Sequence, residues 1–235
     1  MIPAAIYVEL HQTWENSLSL GEMKAGSATE WVRITLAVLA VSFFSYLMVG
    51  LTLPYLSFEI DTDFLATKQS IIHIKHWRYA FYIHICTSIF VLFLGVFQFI
   101  RRLVYGYPRL HRWIGMSYVI IVCCLSGPSG LIMGYYANGG LYARISFVTL
   151  SLLWIGFTAR AYVLARRHEI AEHQAYMVSS YALTLSAVTL RSYAFIFPLF
   201  VHLHGREEYI VVAWLSWVPN LIIAQLLIWK KWTTL

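Results

Sequence analysis

Apolar residues fall into six long runs, which are separated by short polar or glycine-containing segments. Each run can cross a bilayer as a helix, because about 20 apolar residues span the hydrocarbon core. We predict these spans at residues 31–53, 77–100, 113–136, 145–164, 174–200 and 209–229. The pattern therefore predicts an all-α fold, a polytopic membrane bundle of about six transmembrane helices.

The composition agrees with this fold and limits what else the chain contains. Of its 235 residues, 60% are hydrophobic and 12% are charged, whereas about a quarter of the residues in soluble domains are charged. We assign residues 1–30 to an N-terminal arm and residues 31–235 to a single transmembrane helical domain. The sequence shows no serine elbow, HExxH motif or carboxylate pair of the kind that indicates a hydrolase.

The basic residues set the expected orientation. The chain has 17 Lys and Arg against 11 Asp and Glu, which gives a net charge of +6. The basic side chains collect after the second, fourth and sixth spans: Arg101, Arg102, Arg109, Arg112, Arg166, Arg167, Lys230 and Lys231. By the positive-inside rule, these loops, the arm and both termini are cytoplasmic, in the inner membrane of the cell. The expected partners are the lipid bilayer and either a second copy of the chain in a homodimer or another membrane subunit, but no nucleic acid.

Two of the predicted spans carry matched polar stripes. The second span presents one helix face with steps of four, three, four, three and four residues: His84, Ser88, Val91, Gly95, Gln98 and Arg102. The fifth span repeats the same steps: His173, Met177, Ser180, Thr184, Ala187 and Arg191. Because the two spans run in opposite directions, His84 should lie at the depth of Arg191, and His173 at the depth of Arg102. This arrangement is typical of an inverted repeat.

The stripes have two interpretations. Their small residues are typical of helix packing in membranes, and the segment GPSG at residues 127–130 can be a simple proline kink. His84 and Arg191 are harder to explain by packing, because no Asp or Glu lies deep within any predicted span and an unpaired charge is costly there. We therefore predict a polar cavity, open to the non-cytoplasmic side, that is lined by His84, Arg191, Ser88 and the carbonyls freed at Pro128.

Four segments also carry a family resemblance: HICTSIFVLFLGVFQFIRR (84–102), PRLHRWIGMSYV (108–119), GLIMGYYANGG (130–140) and HQAYMVSSYALTLSAVTLR (173–191). In this order they resemble the motifs of a bacterial family of predicted membrane proteins, domain of unknown function 2306. Tyr176 and Ser179 depart from the family pattern, which has Trp and Arg at these positions. The second departure removes a positive charge that an anion site at this level would use. The resemblance implies a fold and site residues but no activity.

Three functions are compatible with these features. The first is a membrane redox protein that binds haem b or a quinone, with His111 and His173 as ligands of the haem iron. Its cofactor-binding residues are His84, His111, His173, Arg191, Arg102, Gln98 and Tyr118. The second is a permease or flippase for an anionic or zwitterionic small molecule that Arg191 holds. The third is a non-catalytic accessory subunit whose histidines and arginines bind a partner helix or lipid headgroups.

Overall fold

The computed structural model describes residues 28–200 and 205–233, with the backbone alone at several positions that include Arg101 and Arg102. Within these residues the chain is helical and contains no strand, which confirms the all-α prediction. The α-helices are Ala28–Thr52, Lys75–Phe97, Arg101–Gly106, Pro108–Ile120, Gly127–Tyr135, Leu141–Arg166, Ile170–Thr184, Ser186–Phe200, Gly205–Leu215 and Val218–Thr233. Short 3-10 helices cover Leu53–Ser57 and Asp63–Lys68, and a π-helical turn covers Ile121–Ser126.

Six helical stretches of the described chain are long and apolar enough to cross a membrane, as the hydrophobic pattern predicts. We call them spans 1 to 6: Val38–Ser57, Lys75–Phe97, Pro108–Tyr135, Leu141–Arg166, Ile170–Phe200 and Gly205–Lys230. Three of them depart locally from α-helical geometry. Span 3 contains the π-helical turn, span 5 is interrupted at Leu185, and span 6 is interrupted at residues 216–217.

The chain divides into two compact units, Met1–Ala40 and Val41–Leu235. The described residues of the first unit form the beginning of the helix Ala28–Thr52. The second unit contains the rest of that helix and spans 2 to 6, and all that follows concerns this unit. The predicted domain boundary at residue 30 stays a prediction.

Spans 2 to 5 form a ring of four helices. Span 2 packs against spans 3 and 5, and span 4 packs against the same two neighbours. Spans 3 and 5 therefore occupy opposite corners of the ring. Span 6 packs on the outside of the ring, against spans 4 and 5. Because consecutive spans alternate in direction, we call the end with the starts of spans 2, 4 and 6 end A, and the opposite end is end B.

The middle of the ring is held by aromatic rings and hydroxyl groups rather than by charges. The ring of Tyr181 fills the space beside Gly95, where an added Cβ would lie 2.3 Å from Cε2 of Tyr181. The hydroxyl of Tyr181 donates a hydrogen bond to the carbonyl of Leu92 at 3.1 Å. The small residue of the span 2 stripe is thus a packing position at this level.

Span 6 is attached to the ring by polar side chains. The indole of Trp217 donates to the hydroxyl of Ser146 at 2.9 Å, and the amide of Gln225 donates to the hydroxyl of Ser179 at 2.9 Å. Ser179 is 4% exposed, so a hydroxyl takes the place of the arginine in the family pattern and serves helix packing.

A buried lysine fastens the loops at end A. Lys68 is 3% exposed, and its ammonium donates to the carbonyl of Tyr136 at 2.6 Å and to Oδ1 of Asn138 at 2.7 Å. The ammonium also lies over the rings of Phe64 and Trp77, 5.4 and 5.9 Å from their centroids. Burial, assisted by the positive charge of Arg144, lowers the pKa of Lys68 to about 8. The loop between spans 1 and 2 is therefore joined to the loop between spans 3 and 4.

Candidate functional site

The imidazole of His173 is fixed at end B by a main-chain carbonyl of the neighbouring helix. Span 5 begins at Ile170, so His173 lies in its first turn. Its Nδ1 lies 2.8 Å from the carbonyl oxygen of Ala161 in span 4. Because only a donor is favourable there, Nδ1 carries the hydrogen and Nε2 presents a lone pair, for which the described residues supply no partner. A histidine that ligates a metal is held in the same way.

His111 lies at the same end of the ring as His173. It occupies the first turn of span 3, which begins at Pro108, a residue that suits the first position of a helix. Its Nδ1 is buried and has no hydrogen-bond partner among the described residues. His111 and His173 thus lie in the first turns of spans 3 and 5 at end B, and their pairing as ligands stays a prediction.

Gln98 adds a third polar group on this side of the ring. The residue follows the last turn of span 2, is 9% exposed, and has a buried Nε2 without a hydrogen-bond partner among the described residues. Its Oε1 lies 2.9 Å from the point where a Cβ at Gly115 would stand. Gly115 follows His111 by one helical turn, so the Gln98 amide lies over span 3 near that histidine. We call Gln98, His111 and His173 the end B cluster; the side chain of Arg102 lies outside the description.

Tyr118 lies deeper and belongs to a different network. The residue is fully buried, and its hydroxyl forms hydrogen bonds of 2.9 Å with Ser180 and 2.8 Å with Thr184. Ser180 also bonds Thr158 at 2.6 Å, and the indole of Trp154 donates to Thr184 at 3.0 Å. These bonds join spans 3, 4 and 5 and satisfy the Tyr118 hydroxyl within the protein.

At end A, the ring of His84 packs against the GPSG segment and the residue before it. Nδ1 of His84 lies 2.9 Å from the carbonyl oxygen of Ser126, the last residue of the π-helical turn. Gly130 leaves room for the imidazole, because an added Cβ would lie 3.0 Å from Cε1 of His84. Gly127 allows span 4 to approach in the same way, with Cγ1 of Ile155 only 2.4 Å from an added Cβ. The segment is therefore more than a proline kink, although nothing in the sequence alone distinguishes the two.

Arg191 and His84 lie equally many residues from the end A limits of their spans, while the common depth predicted from the matched stripes stays a prediction. His84 is nine residues after Lys75, and Arg191 is nine residues before Phe200, so each lies about 13 Å from the end A limit of its span at 1.5 Å per residue. The only hydrogen bond of the Arg191 guanidinium within the described chain goes to the carbonyl of Ala187, at 3.0 Å.

The side chain of Arg191 is exposed and that of His84 is partly exposed. The polar cavity expected between them stays a prediction. Of its expected lining, the hydroxyl of Ser88 donates to the carbonyl of His84 on its own helix. The carbonyl of Ser126, two residues before Pro128, accepts from Nδ1 of His84, and the role expected for the carbonyls freed at Pro128 stays a prediction.

The comparison with known families identifies the chain at the level of its family. The sequence profile of the family described as Predicted membrane protein (DUF2306) matches residues 81–228, which contain the end B cluster and His84. The chain belongs to this family. The resemblance seen in the motifs is thereby confirmed, and DUF2306 gives the class, a predicted membrane protein, without an activity. No curated protein and no solved structure matches the chain.

Proposed function

We propose that this DUF2306 protein is a membrane redox protein that would hold a b-type haem at end B, with His111 and His173 as the residues that would bind its iron. The observation that carries the proposal is the orientation of His173. Its Nδ1–H is engaged by the Ala161 carbonyl, and no described residue bonds its Nε2. His111 lies in the first turn of span 3 at the same end of the ring.

The placement of these two histidines suits a cofactor inside a helix bundle. Cofactor sites in bundles are built from side chains that project inward from facing helices, and spans 3 and 5 are opposite corners of the ring. A haem iron needs only two imidazoles, whereas other metal sites use three or four ligands. Among the described residues, no group of three or more His, Cys, Asp or Glu side chains forms a metal site.

The surroundings offer further contacts for such a group. The unpartnered Nε2 of Gln98 is a hydrogen-bond donor, and a propionate or another oxygen atom of the cofactor would accept from it. Exposed arginines flank end B, including Arg109, Arg112 and Arg166, and guanidinium groups pair well with carboxylates. The haem supplies one-electron chemistry when it is bound, while the chain holds and orients it.

We also infer that end B faces the cytoplasm in the inner membrane. The loops at this end carry the arginines after spans 2 and 4, as the positive-inside rule requires for a cytoplasmic side. A reporter fused at Leu235 and another inserted between Asp61 and Ser70 should then report opposite compartments.

The absorption spectrum of the full-length protein tests the haem proposal. Protein expressed with an ample haem supply should show the Soret and α bands of a low-spin haem with two imidazole ligands. His111→Ala and His173→Ala should each abolish these bands. His168→Asn is the matched control, because His168 is exposed and has a φ of 63°, which Asn tolerates well. A colourless but folded wild-type protein would overturn the proposal.

A further inference from the structure

A groove opens on the outside of the bundle where spans 5 and 6 meet the turn after span 2. Its volume is about 390 Å³, within the range of small-molecule sites. Span 5 lines it between Val178 and Leu185, span 6 lines it between Asn220 and Leu227, and Phe99 stands at its side. Each helical stretch is about 10 Å long. Apart from Asn220, the lining side chains are apolar or aromatic.

Two alanines and two aromatic rings set the shape of the groove. Ala182 and Ala224 are 8% and 3% exposed, and their small side chains leave the space between spans 5 and 6 open. The rings of Phe99 and Tyr181 pack together in the lining, with their centroids 5.4 Å apart. The hydroxyl of Tyr181 is bonded to the carbonyl of Leu92, which fixes its ring. A planar ring can therefore enter beside these aromatic groups.

Asn220 presents a hydrogen-bond acceptor to this groove. Its Nδ2 lies 3.1 Å from the carbonyl oxygen of Ser216 and 3.4 Å from that of Ala182. Because carbonyl oxygens only accept, the NH₂ end of the amide must face them. The same nitrogen lies 3.1 Å from Oγ1 of Thr189. The opposite end of the amide is Oδ1, to which no described residue donates and which is not among the buried atoms.

The position of Asn220 in the membrane makes this acceptor selective. The residue lies ten positions before Lys230, the last residue of span 6, so about 15 Å of helix separates it from that limit. Lipid acyl chains surround a groove at this level, and they carry no hydrogen-bond donor. A polar atom without a partner is costly in apolar surroundings. The groove therefore favours a molecule that dissolves in the membrane and carries an O–H or N–H group.

We propose that this groove binds a membrane-soluble phenol of the hydroquinone type. The ring of the phenol packs against Phe99 and Tyr181, one O–H donates to Oδ1 of Asn220, and an apolar tail continues along the helices into the lipid. The oxidised quinone offers carbonyl acceptors only, and an aliphatic alcohol lacks the ring, so the groove should favour the hydroquinone over both. This binding does not depend on the haem proposal, because it uses no residue of the end B cluster.

Ligand retention by the full-length protein in nanodiscs tests the proposal. Protein-containing and empty phosphatidylcholine nanodiscs are equilibrated, in the absence of oxygen, with decylhydroquinone, its dimethyl ether, decylquinone or dodecanol. Mass spectrometry then counts the compound that the discs retain. The dimethyl ether keeps the ring and lacks both O–H donors. The excess over empty discs should be about fivefold greater for the hydroquinone than for its dimethyl ether, the factor for a hydrogen bond of about 1 kcal/mol.

Two variants and one control assign this preference to the groove. Asn220→Leu should retain the hydroquinone and its dimethyl ether equally, because the acceptor is gone. Ala224→Leu should retain neither, because the larger side chain fills the groove. Gln225→Leu removes another amide of span 6, which bonds Ser179 and does not line the groove, so it should behave as the wild type. Thermal unfolding shows whether each variant is folded.

The wild type alone decides the proposal if a variant fails to fold. Equal retention of the hydroquinone and its dimethyl ether would overturn it, as would a preference that persists in a folded Asn220→Leu variant. Retention of dodecanol or decylquinone as strong as that of the hydroquinone would overturn the assignment of a phenol. Retention of none of the four compounds would mean that lipid or another helix closes the groove, and the proposal would fail.

Discussion

The two ends of the ring differ in how completely the protein satisfies the hydrogen-bonding groups around their histidines. At end A, the ring of His84 is fixed by Ser126 and seated on Gly130. At end B, only His173 is fixed, while Gln98 and His111 each keep a buried atom without a hydrogen bond. These are two of four such side-chain atoms among the described residues, the others being in Ser45 and Trp77.

This difference has an energetic meaning. A buried polar group without a partner costs about 1–3 kcal/mol, and such groups in a native protein call for a reason, one of which is a missing ligand. The end B cluster is therefore incomplete as a purely structural element. The His84 ring is already held by its bond to Ser126, so its position at end A does not depend on a ligand.

The largest expected difference between the two ends is the effect of removing a histidine on the haem spectrum. If end B holds the haem, His173→Ala should abolish the Soret band, whereas His84→Ala should retain more than about nine-tenths of it, since His84 is bound to span 3 at the other end of the ring. Absorption per mole of folded protein measures both. An equal loss of the Soret band in the two variants would show that the two ends do not act separately.

The glycines at the two ends should differ in the cost of an added methyl group. In Gly130→Ala the new Cβ meets Cε1 of His84 at 3.0 Å and Oγ of Ser151 at 3.3 Å, and the imidazole is already fixed. Overpacking of this kind costs about 1–3 kcal/mol. In Gly115→Ala the new Cβ meets Oε1 of Gln98 at 2.9 Å, but this flexible side chain has an unpartnered amide and can rotate away.

Unfolding of the two glycine variants by denaturant in detergent micelles measures this difference. We expect Gly115→Ala to lower the free energy of unfolding by less than about 1 kcal/mol, well below the loss in Gly130→Ala. A larger loss for Gly115→Ala would mean that the Gln98 side chain is fixed by contacts at end B, and the contrast between the two ends would fail.

These positions also show how far sequence reasoning reaches. Six spans follow from hydrophobic runs alone, because burial in lipid demands an apolar helix of sufficient length. The common depth of His84 and Arg191 follows from helix periodicity and the alternation of direction. The packing of His84 on Gly130 and the hydrogen bonds of Tyr118 cannot be predicted from the sequence, since each depends on how the helices approach one another. Lys68 gives no signal either, because its partners Tyr136 and Asn138 lie about 70 residues away along the chain.

A smaller effect is expected when the unpartnered amide at end B is removed. Gln98→Leu replaces a buried Nε2 that has no hydrogen bond with an apolar group of similar size. Without a cofactor, the free energy of unfolding should rise by about 1 kcal/mol. His84→Leu should lower it by a similar amount, because the hydrogen bond from His84 to the carbonyl of Ser126 is lost. The same denaturant titration measures both, and a loss of stability in Gln98→Leu would show that the amide is already satisfied.

The smallest expected effect concerns pH and the buried lysine that fastens the loops at end A. In the folded protein the pKa of Lys68 is about 8, lowered from 10.5 by burial and by Arg144. Below pH 8 the amine is charged in both states, and its burial opposes folding. Between pH 8 and 10.5 the folded state has released the proton and the unfolded state has kept it, so the free energy of unfolding rises with pH.

The measurement is the difference in thermal stability between the wild type and Lys68→Met across this pH range. Other groups titrate in both proteins and cancel in the difference, so the stability of the wild type relative to the variant should increase from pH 7.5 to pH 10. Lys75→Met, at an exposed lysine of span 2, is the matched control. A difference that falls as the pH rises would mean that the ammonium, held by Tyr136 and Asn138, stabilises the fold in its charged form. The charged Lys68 would then be an electrostatic link between the loops at end A.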